Sequence, residues 1–570
     1  MAQFDSTQLK NDECRQAIKD FLSNYEDGWN VLINASSWDA HVKKVEGADP
    51  NAPTDWLAVS DRIISIISDM EFGLDTYPNM LEIIDEERLH DMVSKNGMPI
   101  MYDHWSFGKR RMQLEQEFAK GGMGKIYEMV INSNPVLAYE REDNTKTMML
   151  LVIAHASYGH NAFFKNNYMF SEFTDADNIF SHLRRLKDYV NECEEKYGAK
   201  PVERLLDACH ALESHGVNRF QRSVPRDARE EAQLRARLEM THAQQEQSSS
   251  VIDRIKGPKP SEQFKRANEE EQIPDDLAEN LMRWQSAFSP HLEDWHRDII
   301  RMKSEIAQYF YPQKQTQVGN EGTASTMHYE CMNLLWGEGL IDDQMMQEFI
   351  QSHTAVLSQP GMYTHPETGQ KMPSQINPYA LGFAIIQDMK RVCYEPTEED
   401  KEWFPFTAGC EDWIDTFKDI IENYKDESLI LQYLSPKVMR DFGFFAVYDD
   451  DREDHMVISA IHNQEGYARL RQALASQYRL TEQQPRIEVA QYNHHTDRSL
   501  VLHHYMHKRR PLEEQNMEQV LAHMYQLHGH PVVLHSFDME TGELDQTLSW
   551  PGNMWLEPQH EFQNQSPKPA

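Results

Sequence analysis

Two short stretches of this chain put ionisable side chains inside or against apolar segments, and that conflict constrains its folding more than any other feature. The first is His155-Ala-Ser-Tyr-Gly-His160-Asn161, running on through Phe163, Phe164 and Lys165 to Asn166 and Asn167; the second is Asn320-Glu321-Gly-Thr-Ala324, leading to His328 and Tyr329. An unpaired charge in an apolar interior costs several kcal/mol or is neutralised by a shifted pKa. Both stretches therefore require partners for their side chains.

The run Met148-Met-Leu-Leu-Val-Ile-Ala154 before the first stretch is apolar all round, which predicts a core helix with His155 at its end. His160 follows five residues later, about 140° around an ideal α-helix from His155. The two imidazoles converge only where the helix bends, bulges or ends near Gly159. In the second stretch Glu321, Ala324, His328, Met332 and Leu335 recur at helical spacing, so the Glu and the His lie on the apolar face. They stand two turns apart, roughly 10 Å along the axis. A third body such as a metal, a water or another chain's histidine has to connect them. These segments read either as a His/Glu metal site or as a buried polar network that specifies the core, and spacing alone leaves both open.

Composition narrows the class. The 570 residues are ample for a large core with satellite domains. A formal charge of −36, from 92 acidic against 56 basic residues, repels phosphate backbones and anionic headgroups and disfavours nucleic-acid binding. The six cysteines (Cys14, Cys193, Cys209, Cys331, Cys393, Cys410) show no Cys-x-x-Cys spacing, so neither a zinc ribbon nor a disulfide framework is expected. The start Met-Ala-Gln-Phe-Asp-Ser has no signal-peptide pattern, and no apolar run approaches the ~20 residues of a membrane span. A cytoplasmic protein without a membrane span is expected.

The periodicities predict a mainly α fold, a large helical body with a smaller C-terminal α+β, ferredoxin-like domain. Residues 1–50 read as a polar helical extension and 51–440 as the helical body. Leu57, Ile63, Ile64, Ile67 and Met70 repeat at helix intervals, as do Leu205, Leu206, Cys209 and Leu212. A charged, core-poor stretch near 222–275 reads as a flexible insertion. Over 445–548 the order becomes β-α-β-β-α-β: strands at 456–461, 486–490, 500–502 and 532–534, helices at 465–478 and 513–527. Residues 549–570 read as a tail.

Other candidates have equally good structural readings. Glu203, Asp207 and His210 share one helix face, where a carboxylate can orient a ring, but a solvated acidic face has the same pattern. His104 lies among aromatics as a packed histidine does. His494-His495 and His503-His504 cannot each chelate one ion from a regular strand and read as surface residues. Asn377-Pro378 opens a helix with a cap and Pro at its first position. There is no Walker A loop, Gly-x-Gly-x-x-Gly or Gly-x-Ser-x-Gly, so nucleotide-driven and Ser-hydrolase chemistries lack support.

Longer phrases carry a resemblance. His104-Trp-Ser-Phe-Gly108, Glu128-Met-Val-Ile-Asn-Ser-Asn-Pro135, His155 to Asn167, Glu192-Cys-Glu-Glu-Lys-Tyr-Gly198, Tyr309 to Gln317, Asn320-Glu-Gly322, Asn377 to Phe383 and Leu434 to Phe442 resemble the SpoVR family, the stage V sporulation protein R-like proteins, from about Thr54 to about Ser549. Thr323 and Thr326 stand where relatives often carry Trp and Phe. The resemblance implies a regulatory or adaptor role in stress or stationary-phase signalling, or in envelope assembly of the spore-cortex type. It also implies partners: a PrkA-type serine protein kinase and a von Willebrand factor A-like protein.

A hydrolase is the alternative. Asn320-Glu321-Gly-x-Ala324 is similar to the Glu-bearing helix of gluzincin metallopeptidases, which implies Glu321, His155 and His160 as ligands of one divalent transition metal, zinc foremost, and no nucleotide cofactor. Those peptidases carry His-Glu-x-x-His, whereas Ala156 occupies the general-base position here. Glu321 or His328 is then the candidate proton acceptor.

Overall fold

Leu57, Ile63, Ile64, Ile67 and Met70 do form one helix, Trp56–Met70, which starts where the Asp55 carboxylate accepts from the Ala58 N–H. The computed structural model describes residues 8–119, 128–219, 226, 229–236, 275–359, 362–364, 371–373, 375–444, 446–448, 457–459, 463–480, 484–493, 497–507, 510–551 and 554–555. Most of the insertion expected near 222–275, His494-His495 and most of the tail lie outside the described residues. The fold is mainly helical with a smaller C-terminal α+β region. No described helix is long and apolar enough to cross a membrane.

The chain divides into two compact units, one drawn from 1–99, 106–178 and 312–478, the other from 100–105, 179–311 and 479–570. The first unit is organised on the helix Gln317–Gly337, buried around its whole circumference. An all-buried helix needs partners on every side, and close backbone approach supplies two of them. A Cβ on Gly159 would stand 2.5 Å from the Ala324 Cα, and one on Gly382 would stand 2.1 Å from the Val318 carbonyl oxygen. Glycine is therefore obligatory where the 153–160 segment and the helix Pro378–Tyr394 cross this central helix. At its N-terminus the Asp426 carboxylate accepts from the Gly319 N–H at 3.0 Å, satisfying a donor the helix cannot pair itself.

Against the same region lies a three-stranded sheet. Val136–Arg141 runs between Asn79–Ile84, parallel to it, and Glu128–Ile131, antiparallel to it, with Glu128 directly opposite Glu140.

In the second unit the strands run edge to edge as Arg486–Tyr492, Leu500–Met506, Val532–Asp538, Leu544–Trp550 and Met554–Trp555. All neighbours are antiparallel except Leu500–Met506 with Val532–Asp538, whose parallel crossover is the helix Glu514–His528. The first strand of the expected β-α-β-β-α-β order behaves differently: Val457–Ser459 pairs with Ala446–Tyr448 as a separate ribbon. Leu544–Trp550 joins the sheet instead. Asp545, Gln546, Thr547 and Ser549 thin out its apolar alternation, which hides the strand in the sequence.

Candidate metal centre

The apolar run through Val152 builds an α-helix, but Ile153–His160 continues as eight residues of π-helix before the chain returns to α at Asn161–Asn166. A π-helix bonds i to i+5 and so aligns residues five apart. His155 and His160 consequently stand on one face, ring centroids 4.7 Å apart and planes at 89°. The bulge is the deformation that their spacing demanded.

Two carboxylates meet these rings. The His155 Nε2 is 3.3 Å from Glu128 Oε1 and 3.8 Å from Glu321 Oε2, and the His160 Nε2 is 3.5 Å from Glu321 Oε2. Donor atoms bound to one tetrahedral zinc at ~2.0–2.2 Å stand about 3.3–3.6 Å from each other, so the 3.3 and 3.5 Å separations fit a shared cation and the 3.8 Å one is slightly long. One donor atom each from Glu128, His155 and His160 lies within 4.8 Å of the others.

The surrounding hydrogen bonds turn both Nε2 atoms inward. His160 uses Nδ1 on Asn320 Oδ1, at 2.9 Å; an amide oxygen only accepts, so Nδ1 carries the proton and Nε2 keeps its lone pair. The His155 Nδ1 lies 2.8 Å from the His328 Nδ1, and the His328 Nε2 lies 2.7 Å from the His353 Nδ1. This file of three rings lets His155 donate through Nδ1 while His328 accepts, with His328 donating onward to His353. Outer partners of this kind orient metal-binding histidines. Tyr379 comes from the helix start capped by Asn377 and hydrogen-bonds Glu321.

Burial and charge divide the four groups. Burial pushes the Glu128 carboxyl up to about 7, with His155 opposing and Glu321 adding to the rise. Burial acts in the same upward direction on Glu321, but His160 and His155 outweigh it and hold that carboxyl below its ordinary value. Burial lowers His160 to about 4. It also works against a charged His155, where Glu128 and then Glu321 outweigh it and hold the ring above its usual value. Burial pushes His328 well down and His353 down to about 4, consistent with a neutral outer file. Across the strand pair Glu140 is fully buried and raised well above the carboxylate range by burial, then by Glu128 and Asp61, and neither oxygen has a hydrogen-bond partner among the described residues. It stands directly opposite Glu128 on the strand pair, where burial opposes its ionisation.

The fold thus gathers His155, His160 and Glu321, the three residues the sequence singled out. His328 is two turns from Glu321 as expected, and the body between them is His155 of the same chain. With both ring nitrogens engaged, His328 stands behind the donor cluster. Sequence reasoning passed over Glu128, whose only signal is a carboxylate at the head of the apolar strand Glu128–Ile131, and His353, which has none. The Glu203, Asp207 and His210 face resolves otherwise within the second unit. Asp207 lies 3.2 Å from the His104 Nε2, while His210 stacks on His104 and lies 2.8 Å from the Tyr102 hydroxyl. Glu203 is exposed. His504 is also no surface residue: it is buried, its Nδ1 3.1 Å from Ser536 Oγ.

Comparison with known proteins agrees with the long phrases. The family model described as SpoVR like protein matches residues 54–483, and that of the SpoVR-like C-terminal domain matches residues 485–539. The chain is 46% identical over 480 residues, 84% of its own length and 90% of the relative's, to the Escherichia coli (strain K12) protein called "Uncharacterized protein YcgB". No solved structure matches. With the family match spanning both the body that carries the His/Glu cluster and the C-terminal sheet, this chain belongs to the SpoVR family.

Proposed function

We propose that this SpoVR-family protein holds one divalent transition metal, zinc foremost, on His155, His160 and Glu321 with Glu128 beside them, and that the centre supports hydrolysis. The observation that carries the reading is the π-helical segment, which aligns two histidines that an α-helix would separate while their outer nitrogens are already committed to hydrogen bonds. A bound divalent cation supplies Lewis acidity, lowering the pKa of water to near 7. Glu128 fills the role that Ala156 leaves vacant. Its Oε1, 3.3 Å from the His155 Nε2, is placed to take a proton from water held at the centre, while Glu321 supplies the anionic donor. Tyr379, donating to Glu321, holds that carboxylate in place.

A second reading has its own support. The side chains of His155 and His160 are only 5% and 6% exposed, and those of Glu321 and Glu128 only 16% and 20%. A centre so enclosed also suits a structural cation in a regulatory or adaptor protein. Its partners would be the PrkA-type kinase and von Willebrand factor A-like protein of the resemblance, in stress signalling or envelope assembly. Metal content and peptide- or ester-hydrolysing activity of wild type and Glu128→Gln separate the two. The hydrolase reading expects metal retained and turnover lost in the variant; metal retained with no turnover in either protein favours the adaptor.

A further inference from the structure

Cys393 and Cys410 meet at the end of a helix in the first unit. Of the six cysteines Cys410 alone is exposed, and Cys393 is fully buried in the last turn of the helix Pro378–Tyr394. The chain that follows turns back over that helix end and pairs with its last carbonyls, which a helix cannot satisfy itself. The Gly409 N–H donates to the Val392 carbonyl at 3.0 Å and the Glu411 N–H to the Cys393 carbonyl at 3.1 Å, so a backbone anchor stands on each side of Cys410. Gly409 and Glu411 both take left-handed backbone, with φ of 75° and 58°. A non-glycine residue such as Glu411 keeps that conformation only where its surroundings fix it.

The sulfurs follow the backbone. The Cys393 Sγ lies 3.6 Å from the Thr416 Oγ1 on the helix Trp413–Asn423, with the Cys410 thiol as a second hydrogen-bonding neighbour. The Cys410 Sγ lies 3.4 Å from the Asp412 carbonyl oxygen. A single hydrogen bond from the amide next to Cys410 to the carbonyl of Cys393 puts the two Cα atoms on the scale of the ~4.4–6.8 Å that a disulfide spans. Burial, with Thr416 opposing it and Cys410 adding to it, pushes the Cys393 thiol up to about 12. Cys393 therefore stays protonated and shielded, while Cys410 meets the solvent.

We infer that Cys410 and Cys393 form a peroxide-responsive pair that closes reversibly to a disulfide. The Cys410 thiolate attacks one oxygen of hydrogen peroxide: an S–O bond forms, the O–O bond breaks, and the departing hydroxide takes up the proton that Cys410 gave and leaves as water. The Cys393 sulfur then displaces the hydroxyl from the Cys410 sulfur, and the Cys393 proton leaves with it as a second water. Two thiols are oxidised and one hydrogen peroxide is reduced. An external dithiol reverses the bond by exchange.

Mass mapping of the full-length protein after hydrogen peroxide, with the remaining free thiols alkylated, tests this. Lys401 separates the two cysteines, so trypsin should release two peptides joined through sulfur, and dithiothreitol should part them. In Cys393→Ala the cross-linked species should disappear and dimedone should label Cys410, because its sulfenic acid has no thiol to resolve it. In Cys410→Ser, at an exposed position where the circular-dichroism melt should be unchanged, peroxide should leave Cys393 a free thiol. Sulfinic acid on wild-type Cys410 without the cross-linked peptides overturns the pair. So do a disulfide between the Cys410 residues of two chains and equal dimedone labelling of wild type and Cys393→Ala.

Discussion

Gly159→Ala is the sharpest structural perturbation of the donor cluster, because it keeps every donor residue and moves them apart. The added methyl would stand 2.5 Å from the Ala324 Cα and 3.0 Å from its Cβ. Carbon atoms pack at ~3.5–4.0 Å, so the 153–160 segment and the central helix must separate by about 1 Å. His155 and His160 ride on one partner and Glu321 on the other. Metal sites tolerate about ±0.2 Å in ligand distance, so the displacement exceeds what the cluster absorbs. Overpacking should cost roughly 1–3 kcal/mol of stability, and divalent-metal affinity should fall at least about tenfold, as it does when the supports of a metal site are disturbed. The assay is a competitive zinc titration with a chromophoric chelator, paired with a urea midpoint. Gly108→Ala is the control: it lies in the helix Trp105–Ala119 with nothing within 4 Å of the new carbon. Should Gly159→Ala keep wild-type zinc affinity and midpoint, the close crossing does not position the donor set and the reasoning fails.

Other substitutions separate ligand from support. Glu321→Gln keeps its shape but loses the anionic donor, so metal content should collapse, whereas His328→Ala should keep metal at affinity reduced about 10–100-fold; equal metal content in both variants contradicts these assignments. The Lys390 Nζ and Glu330 Oε1 pair at 2.7 Å with side chains 6% and 4% exposed, so Glu330→Gln removes the counter-charge of a buried ammonium and should lower stability by about 3 kcal/mol in a denaturant melt. Acid should destabilise the chain between pH 6.5 and 4. His528 and His504 are each lowered from 6.5 to about 4 chiefly by burial, so the folded state binds fewer protons than the unfolded state in that window. The stability they contribute is complete above 6.5 and is lost as pH falls toward 4, on the order of 3 kcal/mol per ring by the lower limit. Urea midpoints at pH 7.5 and 5.0 measure it, and a flat profile would count against neutral burial.

Much of the first unit was legible because its signals are local. Helical spacing put Glu321 and His328 on the face they occupy, and Asn377-Pro378 marked a helix start that the structure keeps, with the Asn377 side chain accepting from the Tyr379 N–H. The His155–His160 spacing announced a deformation without specifying its form. A π-helix arises from tertiary demand, here the Gly159–Ala324 crossing together with the two rings' hydrogen bonds, and no propensity encodes it. Glu128 reaches the cluster through strand pairing with Val136–Arg141, a non-local contact that leaves only a carboxylate on an apolar strand as its trace. The C-terminal sheet shows the same limit: Val457–Ser459 has strand residues but pairs elsewhere, and the alternation in Leu544–Trp550 is too polar to stand out.

Metal content of protein purified without an affinity tag tests the central claim most directly. Elemental analysis after growth with zinc, manganese and iron should find roughly one equivalent of a divalent transition metal, removed by chelation and lost in Glu321→Gln. Protein that remains metal-free under that supplementation, with Glu321→Gln melting at the wild-type midpoint, would mean that the His/Glu cluster is a buried polar network and binds no cation.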